Sequence, residues 1–541
     1  MEKELELFLS DLLIQIIPLT RDAHIAYFNA SISGKQEDYQ KASELELQLS
    51  KIYSSKKTFT EIKRFKNSKN ITDQFLKRQI ELLYNEFLSN QIDEKLLEKT
   101  ITLSTKVEEK FATYRASVNG KKLTDNEIDL VLETSLDSDE LEKTWKASKD
   151  IADTIVDDVL TLVKLRNEGA KSLGFKNYHV MSLALNEQNI DDMLKLFDDL
   201  DSLTRAEFQN LKEKIDTYLS ERYGILKKEL MPWHYQDKFF QQGPKIYNVD
   251  LDKYYKNLDV VELVRKYYNG IDLNIDDLIE KSDLYEKEGK YQHAYCTDID
   301  RGGDVRVVCN VKPNYKWTGT LLHEFGHAVY DKYINQKLPW LLRSHAHIFT
   351  TEAIAMLFGR FAADPSWLHD AAGVDKEEIE KVSDDCFNSL KLEQITFSRW
   401  VQVVFRFEKE LYSNPDQDLN KLWWELVEKY QGIKKPEGRN KPDWASKIHI
   451  ALYPAYYHNY ILGELLASQL YFYIKDKVLG LSNSRFESFA NKKEVGKYLK
   501  NLFFSYGAVY PWNELIKKST GESLTPKYYA AQFVKNKRIV D

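Results

Sequence analysis

His323, Glu324 and His327 follow the spacing H-E-x-x-H, whose residue types suit metal-assisted hydrolysis. In a helix, side chains four positions apart lie on one face, so the two histidines can bind one zinc ion through neutral imidazoles. Glu324 can then take the proton of the attacking water. The spacing therefore predicts a hydrolytic site with one zinc ion per chain.

The residues around this motif favour a helix, because the apolar ones recur at helical spacing. They are Leu321, Leu322, Phe325, Ala328 and Val329. We expect Thr318 or Thr320 to cap the start, since their hydroxyls can accept from free backbone N–H groups. Gly326 lies inside the helix, where glycine costs about 1 kcal/mol relative to alanine. We therefore expect another element to approach the backbone closely at Gly326.

A catalytic zinc site needs a third protein ligand. One known arrangement places glycine three residues and histidine six residues after the second histidine, but Tyr330 and Tyr333 occupy those positions. Glu352, 25 residues after the second histidine, is the other option. It follows Thr350 and Thr351, residue types that often cap a helix. From the residues alone, Glu352 is either the third ligand or a first-turn glutamate stabilised by the helix dipole.

The composition is that of a globular, mostly helical chain. Its 541 residues are 43% hydrophobic and 30% charged, which is typical of a folded protein. Only 12 Pro and 21 Gly indicate long helices with few breaks. The net charge of −7, with no basic run, argues against nucleic acid as a partner.

The chain has three cysteines, Cys296, Cys309 and Cys386. A set this small and of odd number does not indicate a disulfide framework. The first residues lack the basic segment and apolar run of a signal peptide, and no apolar run is long enough to span a membrane. We therefore expect a cytoplasmic protein without a membrane span. Secretion with a signal removed beforehand is the alternative, and the sequence leaves the oligomeric state open.

Helical patterns fill residues 1–115 and 125–230 and resume at about residue 318. Between these parts, Asp304–Val311 alternates like a β-strand, and we expect it to form a hairpin with Tyr291–Thr297. No linker is long enough to separate domains. The sequence therefore predicts a single mostly α domain with a small β element near the zinc site.

Six segments, in order, match the sequence pattern of a known family. They are Leu165–Phe175, Phe239–Tyr247, His293–Asp298, His323–Tyr330, Glu352–Ile354 and Trp423–Ile433. The fourth, for example, reads H-E-F-G-H-A-V-Y against the family's H-E-M-G-H-x-x-Y. Together they resemble angiotensin-converting enzyme and its bacterial relatives, the peptidyl-dipeptidase A family of zinc metallopeptidases.

This resemblance implies a helical ellipsoid with a deep central cleft. In the predicted single domain, residues 1–541, residues 1–115 would form a helical lid and residues 231–541 would carry the active site. The resemblance also implies a peptidase that removes dipeptides from peptides with a free C-terminus.

The resemblance assigns a role to individual residues. His323, His327 and Glu352 would be the zinc ligands and Glu324 the general base. His293 and Ala294 would hold the substrate backbone, Gln241 and Lys447 would bind its terminal carboxylate, and His449 would donate to the transition state. A glutamine at position 241 favours, by family analogy, the release of dipeptides over single residues.

The tyrosines after His449 align less directly. The family has Y-I-R-Y, and the corresponding segment here, Tyr457 to Tyr460, requires one inserted residue. In this alignment Tyr460 stabilises the oxyanion and Tyr457 contacts the carboxylate. Tyr456 competes with Tyr457 for that second role if the gap is placed elsewhere.

One departure concerns the groups around the metal. The family has an acidic residue four places after the ligand glutamate, where this chain has Met356. A carboxylate there would orient a zinc-binding histidine. Another group must orient it here.

Two other functions stay open. The helix Tyr457–Gly463 also resembles that of the thimet and oligopeptidase F families, zinc endo-oligopeptidases that cut peptides internally. A non-catalytic peptide-binding homologue is the second alternative, disfavoured because all three ligands and the base are present.

Overall fold

The computed structural model describes residues 1–247, 249–481 and 486–535. Helices dominate this part of the chain, and its strands form only two small antiparallel pairs. The predicted mostly α class is confirmed. None of the described helices combines the length and the apolar character needed to cross a bilayer.

The N-terminal region is helical up to residue 113. Its helices are α1 (Glu2–Ser33), α2 (Gln36–Tyr53), α3 (Lys56–Lys66), α4 (Gln74–Ser89) and α5 (Glu94–Thr113). Asp73 and Asp93 cap α4 and α5 by accepting from backbone N–H groups of the first turn. An apolar cluster joins α1, α3 and α4, and Trp340 and Leu341 from later in the chain pack into it. These helices are therefore attached to the rest of the protein partly through residues 340 and 341.

The middle of the chain is also mainly helical. Its elements are β1 (Ala116–Val118), β2 (Lys121–Leu123), α6 (Asp125–Thr134), α7 (Ser138–Lys149), α8 (Ile151–Ser172), α9 (Tyr178–Leu185), α10 (Ile190–Tyr223), α11 (Asp252–Tyr255), α12 (Val260–Gly270) and α13 (Asp276–Lys281). A short hairpin follows, made of β3 (Tyr295–Asp298) and β4 (Val305–Val308).

The hairpin confirms the predicted pairing, with shorter strands than expected. Tyr295 lies opposite Val308 and Asp298 opposite Val305, in antiparallel register. The turn contains Arg301 at φ 54°, whose backbone N–H donates to the Asp298 carboxylate at 2.9 Å. That bond helps hold a backbone conformation that non-glycine residues rarely adopt.

Helices form the remainder of the described chain. They are α14 (Tyr315–Lys332), α15 (Ile348–Gly359), α16 (Pro365–Asp370), α17 (Lys376–Ser413), α18 (Leu419–Gln431), α19 (Ile448–Leu452), α20 (His458–Tyr473), α21 (Lys493–Leu502), α22 (Trp512–Thr520) and α23 (Lys527–Ala530). One large apolar core runs through the body from residue 107 to residue 533.

The helix that carries the two motif histidines, α14, begins earlier than predicted. It starts at Tyr315, and the side chain of Asn314 caps it by accepting from the backbone N–H of Trp317 at 2.9 Å. Thr318 and Thr320 lie inside the helix, where each hydroxyl donates to the carbonyl four residues before it. The predicted threonine caps are wrong, because an asparagine just upstream supplies the acceptor.

The start of α15 is corrected in the same way. His347 caps the helix through Nδ1, which accepts from the backbone N–H of Phe349 at 3.1 Å. Thr350 and Thr351 lie in the first turn instead of before it. The Thr350 hydroxyl bonds back to the backbone of His347, whereas the Thr351 hydroxyl contacts a side chain of α14.

Close packing between α14, α15 and α20 brings the predicted site residues together. A Cβ placed on Gly326 of α14 would lie 2.7 Å from the Cα of Ala355, on α15. A Cβ on Gly463 of α20 would lie 3.2 Å from the Cβ of Glu352. The close approach expected at Gly326 is confirmed, and the element that approaches is α15.

We predict that Gly326→Ala destabilises the protein by about 1–3 kcal/mol, because the new methyl group meets backbone atoms that have no room to move. It should also weaken zinc binding, since α15 carries Glu352. Thermal unfolding of the metal-free and zinc-loaded protein measures both effects.

Gly319→Ala, on the same helix, is the matched control. Its nearest neighbour would be the Cβ of Ala362 at 3.5 Å, an ordinary contact. This variant should be as stable as the wild type or up to about 1 kcal/mol more stable. Equal melting temperatures for the two variants would contradict the packing argument.

Candidate metal centre and active site

His323, His327 and Glu352 converge as a possible metal site. The two Nε2 atoms lie 3.2 Å apart, and a Glu352 carboxylate oxygen lies 3.6 Å from His323 Nε2 and 3.8 Å from His327 Nε2. A tetrahedral zinc ion with bonds of about 2.0–2.1 Å would separate its donor atoms by roughly 3.3–3.4 Å. The donor set and its spacing therefore fit zinc.

A hydroxyl group orients the second histidine. Thr351 Oγ1 lies 2.7 Å from His327 Nδ1, on the side of the ring away from the other two donors. If Nδ1 carries the proton and donates it to Thr351, the lone pair of Nε2 faces the metal position. Thr351 thus takes the orienting part for His327 that the sequence left unassigned.

Burial keeps the two histidines in the form that binds metal. It lowers the pKa of His323 to about 4 and that of His327 well below its usual value. Burial also raises the pKa of Glu352 to about 7. A bound dication would favour the ionised carboxylate again.

Glu324 lies beside these donors and is buried, at 8% exposure. Burial, together with the negative charge of Glu352, raises the pKa of Glu324 to about 8. A bound dication would lower this pKa and leave the carboxylate able to accept a proton. The position and charge environment of Glu324 therefore suit a proton acceptor for attacking water.

Three tyrosines near the start of α20 contact two different sets of residues. The rings of Tyr456 and Tyr460 lie 5.6 Å apart, and besides burial the Glu352 carboxylate raises the pKa of both hydroxyls. The charge of this predicted metal ligand therefore acts on both phenols. Tyr457 points elsewhere, and its hydroxyl donates to Gln241 Oε1 at 3.4 Å.

The residues predicted to bind the terminal carboxylate of the substrate lie together, and we call them the carboxylate readers. They are Gln241, Lys447 and Tyr457. Lys447 Nζ donates to Gln241 Oε1 at 2.7 Å and lies 5.3 Å from the centre of the Tyr457 ring. Gln241 and Lys447 line a cavity of about 680 Å³, here called the carboxylate cavity, bounded by residues 108–151, 236–242 and 446–448. Burial lowers the pKa of Lys447 to about 8, and nearby Asp237 opposes the shift.

His449 packs against the tyrosine that contacts Gln241. Its ring is 4.9 Å from the ring of Tyr457, which is 5.3 Å from the ring of Tyr460. Burial and then the Lys447 charge lower the pKa of His449 to about 4. The imidazole is therefore neutral at physiological pH and keeps one N–H for donation.

His293 and Ala294 lie just before β3. His293 is exposed, with its ring 5.3 Å from that of Tyr291, and Ala294 is half-buried. Within the described ranges, no hydrogen bond joins either residue to the metal-binding side chains. Their role in holding a substrate backbone stays a prediction.

Sequence reasoning missed the contact between Thr351 and His327 and the packing of Tyr456 against Tyr460. Thr351 directly precedes Glu352, so its position next to a ligand was a possible signal. Tyr456 was considered only as a rival of Tyr457 for the carboxylate, because consecutive tyrosines are hard to separate without helix geometry.

Two family models match the chain. The model described as peptidase family M3 matches residues 139–535. The model described as angiotensin-converting enzyme matches residues 1–239. The first match therefore includes every candidate site residue, and the second includes the N-terminal helices.

The chain is also similar to individual relatives. Thermostable carboxypeptidase 1 of Pyrococcus furiosus is 24% identical over 359 residues, which cover 59% of this chain and 65% of that protein. Angiotensin-converting enzyme of Theromyzon tessulatum is 23% identical over 530 residues, 88% of this chain and 83% of that protein. Carboxypeptidase 1 of Bacillus subtilis is 24% identical over 264 residues, 44% of this chain and 50% of that protein. The chain thus spans just under two thirds of the first relative and half of the third.

We predict that Thr351→Val lowers zinc affinity about 10- to 100-fold, because the hydroxyl that fixes the His327 ring is lost at nearly constant volume. Competition with a fluorescent chelator measures this affinity without any assay of activity. Thr351→Ser keeps the hydroxyl and should stay within a few-fold of the wild type. Similar zinc affinities for all three proteins would show that Thr351 does not orient His327.

Proposed function

The chain belongs to peptidase family M3 and is a zinc metallopeptidase related to angiotensin-converting enzyme, and we propose that it releases dipeptides from the free C-termini of short peptides. The observation that supports this proposal is that Tyr457, which contacts Gln241 beside Lys447, lies about one helical turn before Tyr460, and the Glu352 carboxylate acts on Tyr460. One turn of a helix rises about 5 Å. A carboxylate bound by Lys447 would therefore lie close to a scissile bond at the metal.

In this proposal His323, His327 and Glu352 would hold zinc, which would supply a Lewis acid and lower the pKa of water to about 7. Glu324 takes a proton from the attacking water and passes it to the leaving amine. The Tyr460 hydroxyl donates to the developing oxyanion.

Other residues of the chain complete the substrate contacts. Tyr456 supports the Tyr460 hydroxyl, and neutral His449 is a further donor to the transition state. Lys447, Gln241 and Tyr457 bind the terminal carboxylate, which fixes how far the peptide extends past the metal. His293 and Ala294 would hold the peptide backbone near the start of β3.

The names of the relatives support an exopeptidase but leave the size of the product open. Two of them are carboxypeptidases, and one is an angiotensin-converting enzyme. An endo-oligopeptidase remains the alternative, because an enzyme that ignores the carboxylate could use the same metal chemistry. The carboxylate readers favour the exopeptidase.

We predict that a flexible peptide with a free C-terminus is shortened two residues at a time. The same peptide with a C-terminal amide should be cut at least tenfold more slowly, because Lys447 then lacks an anionic partner. Mass spectrometry of the products distinguishes dipeptides, single residues and internal fragments. Removal of zinc by a chelator should stop cleavage, and added zinc should restore it. Internal fragments from both peptides would contradict the dipeptidase proposal while keeping the zinc chemistry.

We predict that Glu324→Gln lowers kcat at least a thousandfold, because the amide does not accept the proton of the attacking water. The zinc content of the purified variant should equal that of the wild type, since Glu324 is not a ligand. Metal analysis and single-turnover kinetics on one preparation measure both. Near-normal turnover would show that another group is the base.

We predict that KM for a free-carboxylate peptide rises above pH 8. Lys447, with a pKa of about 8, is charged below that pH and loses its proton above it, so each further pH unit should raise KM up to about tenfold. Lys447→Arg keeps its charge at high pH and should flatten the profile, even if KM itself changes. A wild-type KM that is constant from pH 7 to pH 10 would contradict this role.

A further inference from the structure

A carboxylate in the core, that of Glu408 on α17, has no part in the proposed chemistry. Glu408 is 0% exposed. Its Oε1 accepts from the backbone N–H of Ala455 at 3.1 Å, whereas its Oε2 makes no hydrogen bond within the described ranges. Burial raises the pKa of Glu408 to about 8. A buried carboxyl group with one unpaired oxygen is costly, so its single bond to Ala455 calls for an explanation.

Ala455 lies in the segment that connects α19 to α20. We call residues 453–457 the α19–α20 link. Ala455 has a φ of 57°, in the left-handed region that a side chain disfavours because Cβ approaches the following carbonyl. His449 lies on α19 before the link, and Tyr460 lies in the first turn of α20 after it. The bond from Glu408 therefore holds the turn between two of the predicted transition-state donors.

A second buried side chain holds the start of the same link. Arg166 of α8 is 8% exposed, and its Nη1 donates to the carbonyl of Ala451 at 3.0 Å and to the Tyr412 hydroxyl at 3.2 Å. Tyr412 lies one turn after Glu408 on α17, and the charge of Arg166 acts on the pKa of Glu408. One cation and one carboxyl group from two long helices thus fix the end of α19 and the turn that follows it.

Short contacts connect this turn to the tyrosine hydroxyl at the start of α20. The backbone N–H of Asn459 donates to the carbonyl of Tyr456 at 3.0 Å, and that of Tyr460 donates to the carbonyl of Tyr457 at 3.3 Å. The rings of Tyr456 and Tyr457 lie 5.6 Å and 5.3 Å from the ring of Tyr460. A change in the backbone at Ala455 would therefore move the Tyr460 ring.

We propose that Glu408 is a positioning residue: by holding Ala455 in its left-handed turn, it sets the place of the Tyr460 hydroxyl relative to the metal donors. The inference rests on the proposed function, in which Tyr460 donates to the developing oxyanion. In the part of the chain that the structure describes, no hydrogen bond joins Glu408 to a predicted zinc ligand. Its loss should therefore slow turnover and leave metal binding unchanged.

The first test compares Glu408→Leu with Glu408→Gln. Leucine has a similar size but no acceptor, so kcat should fall at least about tenfold as the oxyanion donor moves out of place. Glutamine keeps an oxygen that accepts from Ala455, and kcat should stay within about threefold of the wild type. A normal kcat for the leucine variant, or a glutamine variant as slow as the leucine one, would overturn the proposal.

Two further readouts separate positioning from damage to the metal site. Zinc affinity, measured with a fluorescent chelator, should stay within about twofold of the wild type in Glu408→Leu, because the three ligands lie on α14 and α15. KM should change less than kcat, since Lys447 and Gln241 lie outside the link and still bind the terminal carboxylate. A loss of zinc affinity that matches the loss of kcat would overturn the proposal.

Ile379→Ala is the matched control for lost stability. Ile379 is buried in the first turn of α17, about 44 Å from Glu408 along the same helix at 1.5 Å per residue. This variant should melt at a lower temperature, yet keep kcat within about twofold at a temperature where every variant is folded. An equal loss of kcat in both variants would show that Glu408 acts only through stability.

Ala455→Gly tests the turn itself. Glycine adopts a φ of 57° without the steric cost of a Cβ, so the turn depends less on the bond from Glu408. In the Glu408→Leu background this change should raise kcat about fivefold, and alone it should leave kcat close to the wild type. Failure of the double variant to recover would contradict a role through the turn.

Tyr460→Phe separates this inference from the proposed function. If Glu408 acts through the Tyr460 hydroxyl, Glu408→Leu should slow a Tyr460→Phe enzyme by less than about threefold. Fully additive losses would overturn this inference and leave the proposed function standing. Near-normal turnover of Tyr460→Phe alone would instead overturn the oxyanion role in the proposed function, whatever Glu408→Leu does.

Discussion

The geometry of the metal donors depends on how closely α14, α15 and α20 approach one another. Gly326 leaves space for the backbone of Ala355, and Gly463 leaves space for Glu352 and Met356. Because Glu352 lies on α15, between the histidine helix and the tyrosine helix, the separation of these helices sets its distance from both histidines. It also sets the distance from Glu352 to Tyr460. Side chains in place of these glycines would push the helices apart and spread the donors.

The same packing decides the charge of the site. Four titratable groups lie together and are partly or largely buried: His323, Glu324, His327 and Glu352. Burial shifts each of them toward its neutral form, which lowers the pKa of the histidines and raises that of the carboxyl groups. For the histidines this favours metal binding. For the carboxylates it is a cost that a dication offsets, so close packing makes the ionisation of Glu324 and Glu352 depend on the metal.

The sequence predicted the features that have short-range signals. The spacing of His323 and His327, the alternation of β4 and the scarcity of proline and glycine each depend on local geometry. The helix starts were misplaced because Asn314 and His347 lie just before the threonines that looked like caps. Thr351 was missed because its contact with His327 exists only once α15 packs against α14. Tyr456 and Tyr457 were not separable in the alignment, but near the start of a helix neighbouring residues point about 100° apart.

The spacing of Tyr457 and Tyr460 along α20 suggests how one helix could serve both ends of a reaction. Tyr457 contacts Gln241, whereas Tyr460, one turn further, shares its surroundings with Glu352. In the proposed mechanism, the residues that bind the terminal carboxylate and those that bind the metal are therefore both positioned relative to the same short part of α20. If a loop joined these two groups of residues, their separation would vary, and so would the position of the cleaved peptide bond. A rigid helix keeps that separation constant, which is the physical requirement for an enzyme that counts residues from a peptide's end.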